Sequence, residues 1–552
     1  MTRLIFILSL TASLTPSLCI ANESMGTPAA RVEFEKGQTA QWSGNLKSAV
    51  EAYRRAIELD PDFAKAHEGY IFASQLLPLD TPESDLQGGS HHSSIKTEEE
   101  RRQADAKRAQ KIQEEYVELA QKHPDRPVYQ WALGIMNQEA HPQAAERYAR
   151  NALQIDPAYA PAFNLLASID EARGELNANR EDLRNAVAAN PANPEYLFNY
   201  AYALRDVNPP ESLRLMLQVV DKFPESDSAP SAFHALEERA NTPEERVRYL
   251  EMLKAYFPPS KTEISEGGMM TLFGIYDRID SEKALALAEE MEKDKPKDTD
   301  WALCTRYEQR MISAERLLAD GNAKGAVEAL SNVELPWYVE HARLDMLRAR
   351  AAQANGETAR AYTDLVKIFA SEPTDDLQVA ITGYGQKLGK SVKQVVADVS
   401  VIRDTNAKPT SPFSLKGYGP NAKRISLSDF KGRVVLVNFW FPECGPCRQE
   451  FPYLKAIYEK YKSQGLVVIS INIVPAQDDL VLSSLRGYKL DFVPARDDDK
   501  TSKAFGVRGV PENYIIGADG RLWFHPDFPI SDHSKQRILE LEVEALVHLK
   551  SE

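Results

Sequence analysis

Two kinds of hydrophobic pattern divide this chain. From about Ala29 to Glu372 apolar and small residues recur at helical spacing between polar ones. The first block carries Gly37, Gly44, Ala49, Tyr53, Ala56 and Pro61. Pro157 and Pro191 lie 34 positions apart, and Phe163, Leu166, Ala167, Gly174, Leu183 and Ala186 between them fill much of the same template. Asn179 departs from it, standing where alanine is usual. Tyr196 to Pro224 gives a looser copy, and Gly321/Ala326 and Gly356/Ala361 repeat the five-residue step of Gly44/Ala49. A period of this length predicts paired helices, with small residues where two helices cross closely and proline ending the second. After about Arg403 the pattern changes to near-continuous apolar runs, VVLVNFWF, LVVISINIV and NYIIG, separated by helical segments. Such runs predict strands of a central sheet covered on both faces.

The helical blocks resemble tetratricopeptide repeats, strongly in two copies and loosely elsewhere. The fold expected is therefore a multidomain chain: an all-α helical repeat array, an α-solenoid, followed by an α/β domain. The expected divisions are a helical pair over 29–77, a polar loop over 78–100, further repeats over 101–403, a Pro-rich linker over 404–412 (within NAKPTSPFSL) and the α/β domain over 413–552. The loop, with DTPESDLQGGSHHSS, is solvated, and His91 and His92 in it are read as loop residues rather than metal ligands. Cys304, within WALCTRYEQR, is read as a buried structural thiol.

Charge sharpens the division. From Thr405 onward the chain holds 20 Lys+Arg against 18 Asp+Glu, a net of +2, so the remainder carries −17 of a total of −15. That acidity argues against a nucleic-acid partner, which asks for a basic face. A helical array of this kind offers a surface to another protein, and protein binding is the reading taken for it; a spacer or a dimer contact is the alternative.

The chain opens MTRLIFILSLTASLTPSLCIA, with one positive charge at Arg3 and an apolar run from Leu4 to Leu10. The run is short for a membrane span, and small residues follow it, so residues 1–21 are expected to be a signal peptide cleaved after Ala21. Lipidation of Cys19 is the lesser alternative, because Leu18 is large where a small residue is expected. Export to a periplasm or cell envelope follows. An exported protein with so few cysteines is no disulfide-stapled scaffold, so its one close pair is expected to be used chemically.

That pair is Cys444-Gly445-Pro446-Cys447, directly after VVLVNFWF and before the helical segment RQEFPYLKAIYEKY. A strand–CxxC–helix context puts the first cysteine at a helix N-terminus, where free N–H groups and the helix dipole stabilise a thiolate. Cys444 is the expected nucleophile on a substrate disulfide, and Cys447 the expected resolving thiol that displaces the product. Gly445 and Pro446 hold the sulfurs close without adding bulk above them.

With ISLSDFKGRVVLVNFWF, CGPC, FPYLKAIYEKY, GLVVISINI and GVPENYIIGADGRL, the region from Pro409 to Leu549 resembles the thioredoxin superfamily, and within it the exported TlpA/ResA-like branch. The resemblance implies a thioredoxin fold, a redox disulfide Cys444–Cys447, and a cis proline at Pro511 lying against the pair and leaving neighbouring backbone open to an extended substrate. It also implies a disulfide reductase supplied by a membrane thiol donor, with disulfide-bearing proteins as clients. Two positions depart from the family. Glu443 stands where an aromatic residue is common, and a carboxylate there would oppose thiolate formation unless it points to solvent. The buried acid that serves the family as proton relay has no clear counterpart in NIVPAQDD, so neither Asp478 nor Asp479 is assigned to it.

Rival chemistries lack their residues. A structural zinc site needs a second cysteine or histidine pair, and covalent haem needs a histidine where Arg448 stands. The offsets that a peroxidatic cysteine needs before Cys444 hold Val437 and Phe441. No metal or cofactor is expected. The remaining alternative is a non-catalytic helical-repeat adaptor with a redox-inert thioredoxin-like module; both cysteines, the Gly-Pro spacer and Pro511 together favour the enzyme.

Overall fold

The computed structural model describes residues 25–77, 98–240, 242–257, 266–296, 298–336, 339, 341–419, 422–526, 530 and 533–547. The expected signal segment with Cys19, and most of the expected polar loop with His91 and His92, lie outside them. The chain forms two compact units, Met1–Gln138 with Pro142–Leu166 and Arg184–Pro191, and Glu139–His141 with Ala167–Leu183 and Ala192–Glu552.

Between Pro28 and Asn406 the described residues form twenty helices. In the first unit, helix Pro28–Trp42 packs on Leu46–Leu59, and a Cβ on Gly37 or Gly69 would come within 2.6 or 2.7 Å of the Tyr53 ring. The small residues of the repeat pattern thus sit where helices approach too closely for a side chain. Gly44, Gly174, Gly321 and Gly356 all have positive φ, 74° to 85°, in the turn between the two helices of a pair. That conformation ends a helix cheaply only with glycine. Ala49, Ala326 and Ala361, five residues on, are buried. Asn179, at the equivalent place in its own pair, is buried too, and its side-chain amide donates to the Ala167 carbonyl at 2.8 Å. The polar departure from the repeat is therefore satisfied.

In the second unit the helices lead into an eight-stranded sheet. Its strands are β1 (Lys408–Pro409), β2 (Ser414–Gly417), β3 (Arg424–Ser426), β4 (Val434–Trp440), β5 (Leu466–Asn472), β6 (Val493–Arg496), β7 (Glu512–Ile516) and β8 (Arg521–Phe524), in the order β1-β8-β7-β4-β5-β6-β2-β3. β4, β5 and β6 run parallel, and the other pairings are antiparallel. Four helices accompany the sheet: α1 (Gly445–Tyr461), α2 (Val481–Gly487), α3 (Lys500–Phe505) and α4 (His533–Val547). This is the α/β thioredoxin fold expected after the helical array. The segment expected as a linker over 404–412 is ordered structure. Helix Val392–Asn406 runs into it, and Lys408 and Pro409 pair with β8 as an edge strand. Proline is tolerated there because an edge strand has one unpaired side.

All seven residues of β4 are buried, so alternate side chains serve two cores. Val434, Leu436 and Trp440 pack with Phe451 and Leu454 of α1, Leu485 of α2 and Leu539 of α4. Val435, Val437 and Phe439 face the other side with Phe413, Ile469 and Tyr514. Asn438 falls in register with Leu436 and Trp440, which puts an amide into the core beneath α1.

Candidate redox site

β4 delivers the chain to Cys444, which caps the N-terminus of α1. Its Sγ accepts from the Cys447 amide at 3.1 Å. Pro446 lies in the first turn, where the missing N–H costs nothing, and the glycine and proline leave that turn uncrowded. Cys444 and Cys447 are joined as a disulfide with Cα atoms 5.2 Å apart. Cys447 is fully buried and Cys444 is 4% exposed, so of the two cysteines only the first retains any exposure. The Val510–Pro511 bond is cis, and the Val510 carbonyl oxygen lies 3.9 Å from Cys444 Sγ. The strand, motif and helix, contiguous in sequence, thus meet the proline loop, 66 residues on, at one sulfur.

Glu443 is half-buried and bound to the turn Pro475–Gln477. Its backbone amide donates to Gln477 Oε1 at 3.0 Å, and Gln477 Nε2 donates to Glu443 Oε2 at 3.1 Å. Burial, then the proximity of Glu139, pushes its carboxyl up to about 8, against the pull of Arg448. A carboxylate fixed beside the thiolate was one expectation and a solvated side chain the other. The geometry gives neither, because the group is held in a poorly solvated place and is mostly protonated at neutral pH. The repulsion expected against a Cys444 thiolate is correspondingly weak.

A second acid, missed in the sequence, lies deeper. Glu450 follows Cys447 by three residues on α1 and so shares its inward face. Its Oε1 accepts from Asn513 Nδ2 at 2.6 Å and from the Ile530 amide at 3.2 Å, and its Oε2 accepts from Asn438 Nδ2 at 3.3 Å. Asn438 Nδ2 also donates to Asn513 Oδ1 at 3.0 Å, and the two asparagines face each other across β4 and β7. Burial pushes the Glu450 carboxyl up to about 7, opposed by these hydrogen bonds. The signal was present as polar residues inside apolar strands, Asn438 in VVLVNFWF and Asn513 in NYIIG. Only pairing across the sheet shows that both serve one carboxyl. Asp478 is engaged elsewhere: it accepts from the Tyr418 hydroxyl, from Asn472 Nδ2 at 3.0 Å, and pairs with Arg496.

Cys304 is fully buried in helix Thr299–Ala319 and is not disulfide-bonded. Among the described residues no group of three His, Cys, Asp or Glu side chains could hold a metal ion.

Residues 405–524 match the Redoxin family. The C-terminal part of this chain is a Redoxin domain. Similar curated proteins include the thiol-disulfide oxidoreductase ResA of Bacillus subtilis (strain 168), 35% identical over 103 residues, and that of Bacillus thuringiensis subsp. konkukian (strain 97-27), 37% identical over 101 residues. Each alignment covers 18% of this chain, and the chain spans 57% and 58% of the length of these relatives. A solved thiol:disulfide interchange protein of the thioredoxin family from Chlorobium tepidum TLS matches 26% of this chain and 97% of its own, with 21% identity and a TM-score of 0.23. The Redoxin match takes in β4, the cysteine pair, Glu450 and Pro511, which are the elements that build the site.

Proposed function

We propose that this protein is an exported thiol–disulfide oxidoreductase that reduces disulfides in client proteins, its helical repeats contributing to partner recognition. The observation that carries the reading is a disulfide-bonded cysteine pair at a helix N-terminus, with Cys444 beside the Val510 carbonyl and 4% exposed and Cys447 fully buried. In the reduced domain the Cys444 thiolate attacks one sulfur of a client disulfide; the S–S bond breaks, a mixed disulfide forms and the client's other sulfur leaves as a thiol after protonation. Cys447, losing its proton, attacks Cys444, so the client departs as a dithiol and the Redoxin domain keeps the disulfide. A dithiol donor then returns two electrons and two protons. Glu450, buried one turn from Cys447 and titrating near neutrality, is placed to take the proton that Cys447 loses. The signal segment supports export, and the acidic repeats support a protein partner rather than a nucleic acid.

The test is a trap. Cys444→Ser abolishes disulfide turnover, whereas Cys447→Ser accumulates mixed disulfides with clients because no thiol remains to resolve them. Turnover persisting in Cys444→Ser would refute the assignment.

A further inference from the structure

The helical repeats reach the redox site within the second unit, and they reach it on two flanks. Glu171, near the end of helix Ala160–Arg173, accepts from Arg448 Nη2 at 3.0 Å and from the Tyr488 hydroxyl at 3.3 Å. Arg448 immediately follows Cys447, is buried, and also donates to the Pro442 carbonyl at 2.8 Å, so one guanidinium ties the entry to the cysteine pair to a repeat helix. Next to it, Gln449 hydrogen-bonds Tyr202 of helix Pro194–Ala203. The turn after Glu171 makes the closest approach. A Cβ on Gly487, at the end of α2, would lie 2.0 Å from the Gly174 carbonyl oxygen and 2.4 Å from its Cα. On the other flank, Gln477, which holds Glu443, donates to the Glu139 carbonyl at 3.4 Å. The rim left open consists of Gly445, Pro446 and the loop of Arg508, Gly509 and Val510.

From this arrangement we propose that Glu171, Tyr202 and the Gly174 turn are specificity-determining: they wall the redox site so that Cys444 accepts disulfides on short or extended polypeptide segments and excludes those presented on the surface of a folded protein. Two independent contacts carry this reading, a charged pair and a backbone-to-backbone approach that no side chain permits. A thin segment needs only the gap between Pro446 and the Val510 loop. A folded surface needs clearance on both flanks, and repeat residues occupy both. The inference rests on the oxidoreductase reading and narrows its substrate class.

The test uses the full chain, pre-reduced, in single-turnover oxidation by a short disulfide-linked peptide and by insulin, and reads the ratio of the two rates. Changes in thiol chemistry act on both rates and cancel in the ratio. Glu171→Arg places like charges together, and Gly487→Ala wedges the turn apart while leaving both charges in place. Each raises the insulin-to-peptide ratio roughly tenfold, the gain expected when an open state goes from about a tenth of the population to nearly all of it. Glu171→Arg with Arg448→Glu restores the pair in reverse and returns the ratio toward wild type. Should one single variant fail to fold, the other carries the test. A ratio that stays constant in the variants, or falls, overturns the proposal; a fall would mean that the repeats deliver folded proteins rather than exclude them. If the wild type reduces neither substrate, the oxidoreductase reading is what has failed. Access is then read without turnover, from the alkylation of reduced Cys444 by iodoacetamide against a polyethylene-glycol maleimide, with Cys444→Ser as baseline. The same rise in the bulky-to-small ratio is expected, and its absence overturns the wall.

Discussion

Replacing Glu450 with Gln tests the buried carboxyl beneath the redox helix. In the folded domain this group titrates at about 7 instead of 4.5, because it is enclosed by the sheet and its three hydrogen bonds only partly replace water. That displacement corresponds to about 3 kcal/mol by which the charged form is disfavoured. A carboxyl raised in this way contributes its full stability below pH 4.5 and loses it progressively as pH rises through 7. Gln cannot ionise, so the variant lacks this loss. It also lacks one acceptor, since its Nε2 faces a donor where Glu450 Oε2 met Asn438, and this costs about 1–2 kcal/mol at every pH. The two effects oppose each other. At pH 4 Glu450→Gln is less stable than wild type by about 1–2 kcal/mol, near pH 5.5 the two are about equal, and at pH 8.5 the order is reversed by roughly 1–2 kcal/mol. Hydrogen exchange of the β4 and α1 amides reads this domain without interference from the repeats. The turnover profile supplies a second reading, because the variant loses an ionisation near pH 7 if Glu450 takes the Cys447 proton. Parallel stability curves for the two proteins between pH 5.5 and 8.5 would show that Glu450 is not the buried titrating group described here.

Two further outcomes are expected. Asn179→Ala removes the donor to the Ala167 carbonyl but restores the usual small residue of the repeat, so it destabilises by no more than about 1 kcal/mol in urea unfolding; a loss several times larger would mean the amide holds more than this one carbonyl. Mass spectrometry of protein recovered from the cell envelope should find its N-terminus near Asn22, and an intact Met1 or a lipid on Cys19 would refute the reading of the first residues.

The order of elements and the pairing of Cys444 with Cys447 were legible in the sequence because both are local. Helical spacing, the 34-residue period and the switch to continuous apolar runs need only neighbours along the chain, and so does a CxxC set between a strand and a helix. The repeat glycines could be placed for the same reason, since ending one helix before starting the next is decided within a few residues. What the sequence left open depends on partners far away in the chain. Glu443 could be either a charge beside a thiolate or a solvated side chain until Gln477 closed on it. Nothing local singles out Glu450; β4 and β7 set two asparagines against it from 12 and 63 residues away. The expected linker became a strand because β8, more than a hundred residues on, offers an edge to Lys408 and Pro409. Arg448 was noted only for not being a histidine; its role depends on Glu171, 277 residues earlier. Burial and opposing charge set the chemistry of an acidic or basic side chain, and both are properties of the folded neighbourhood rather than of spacing along the chain.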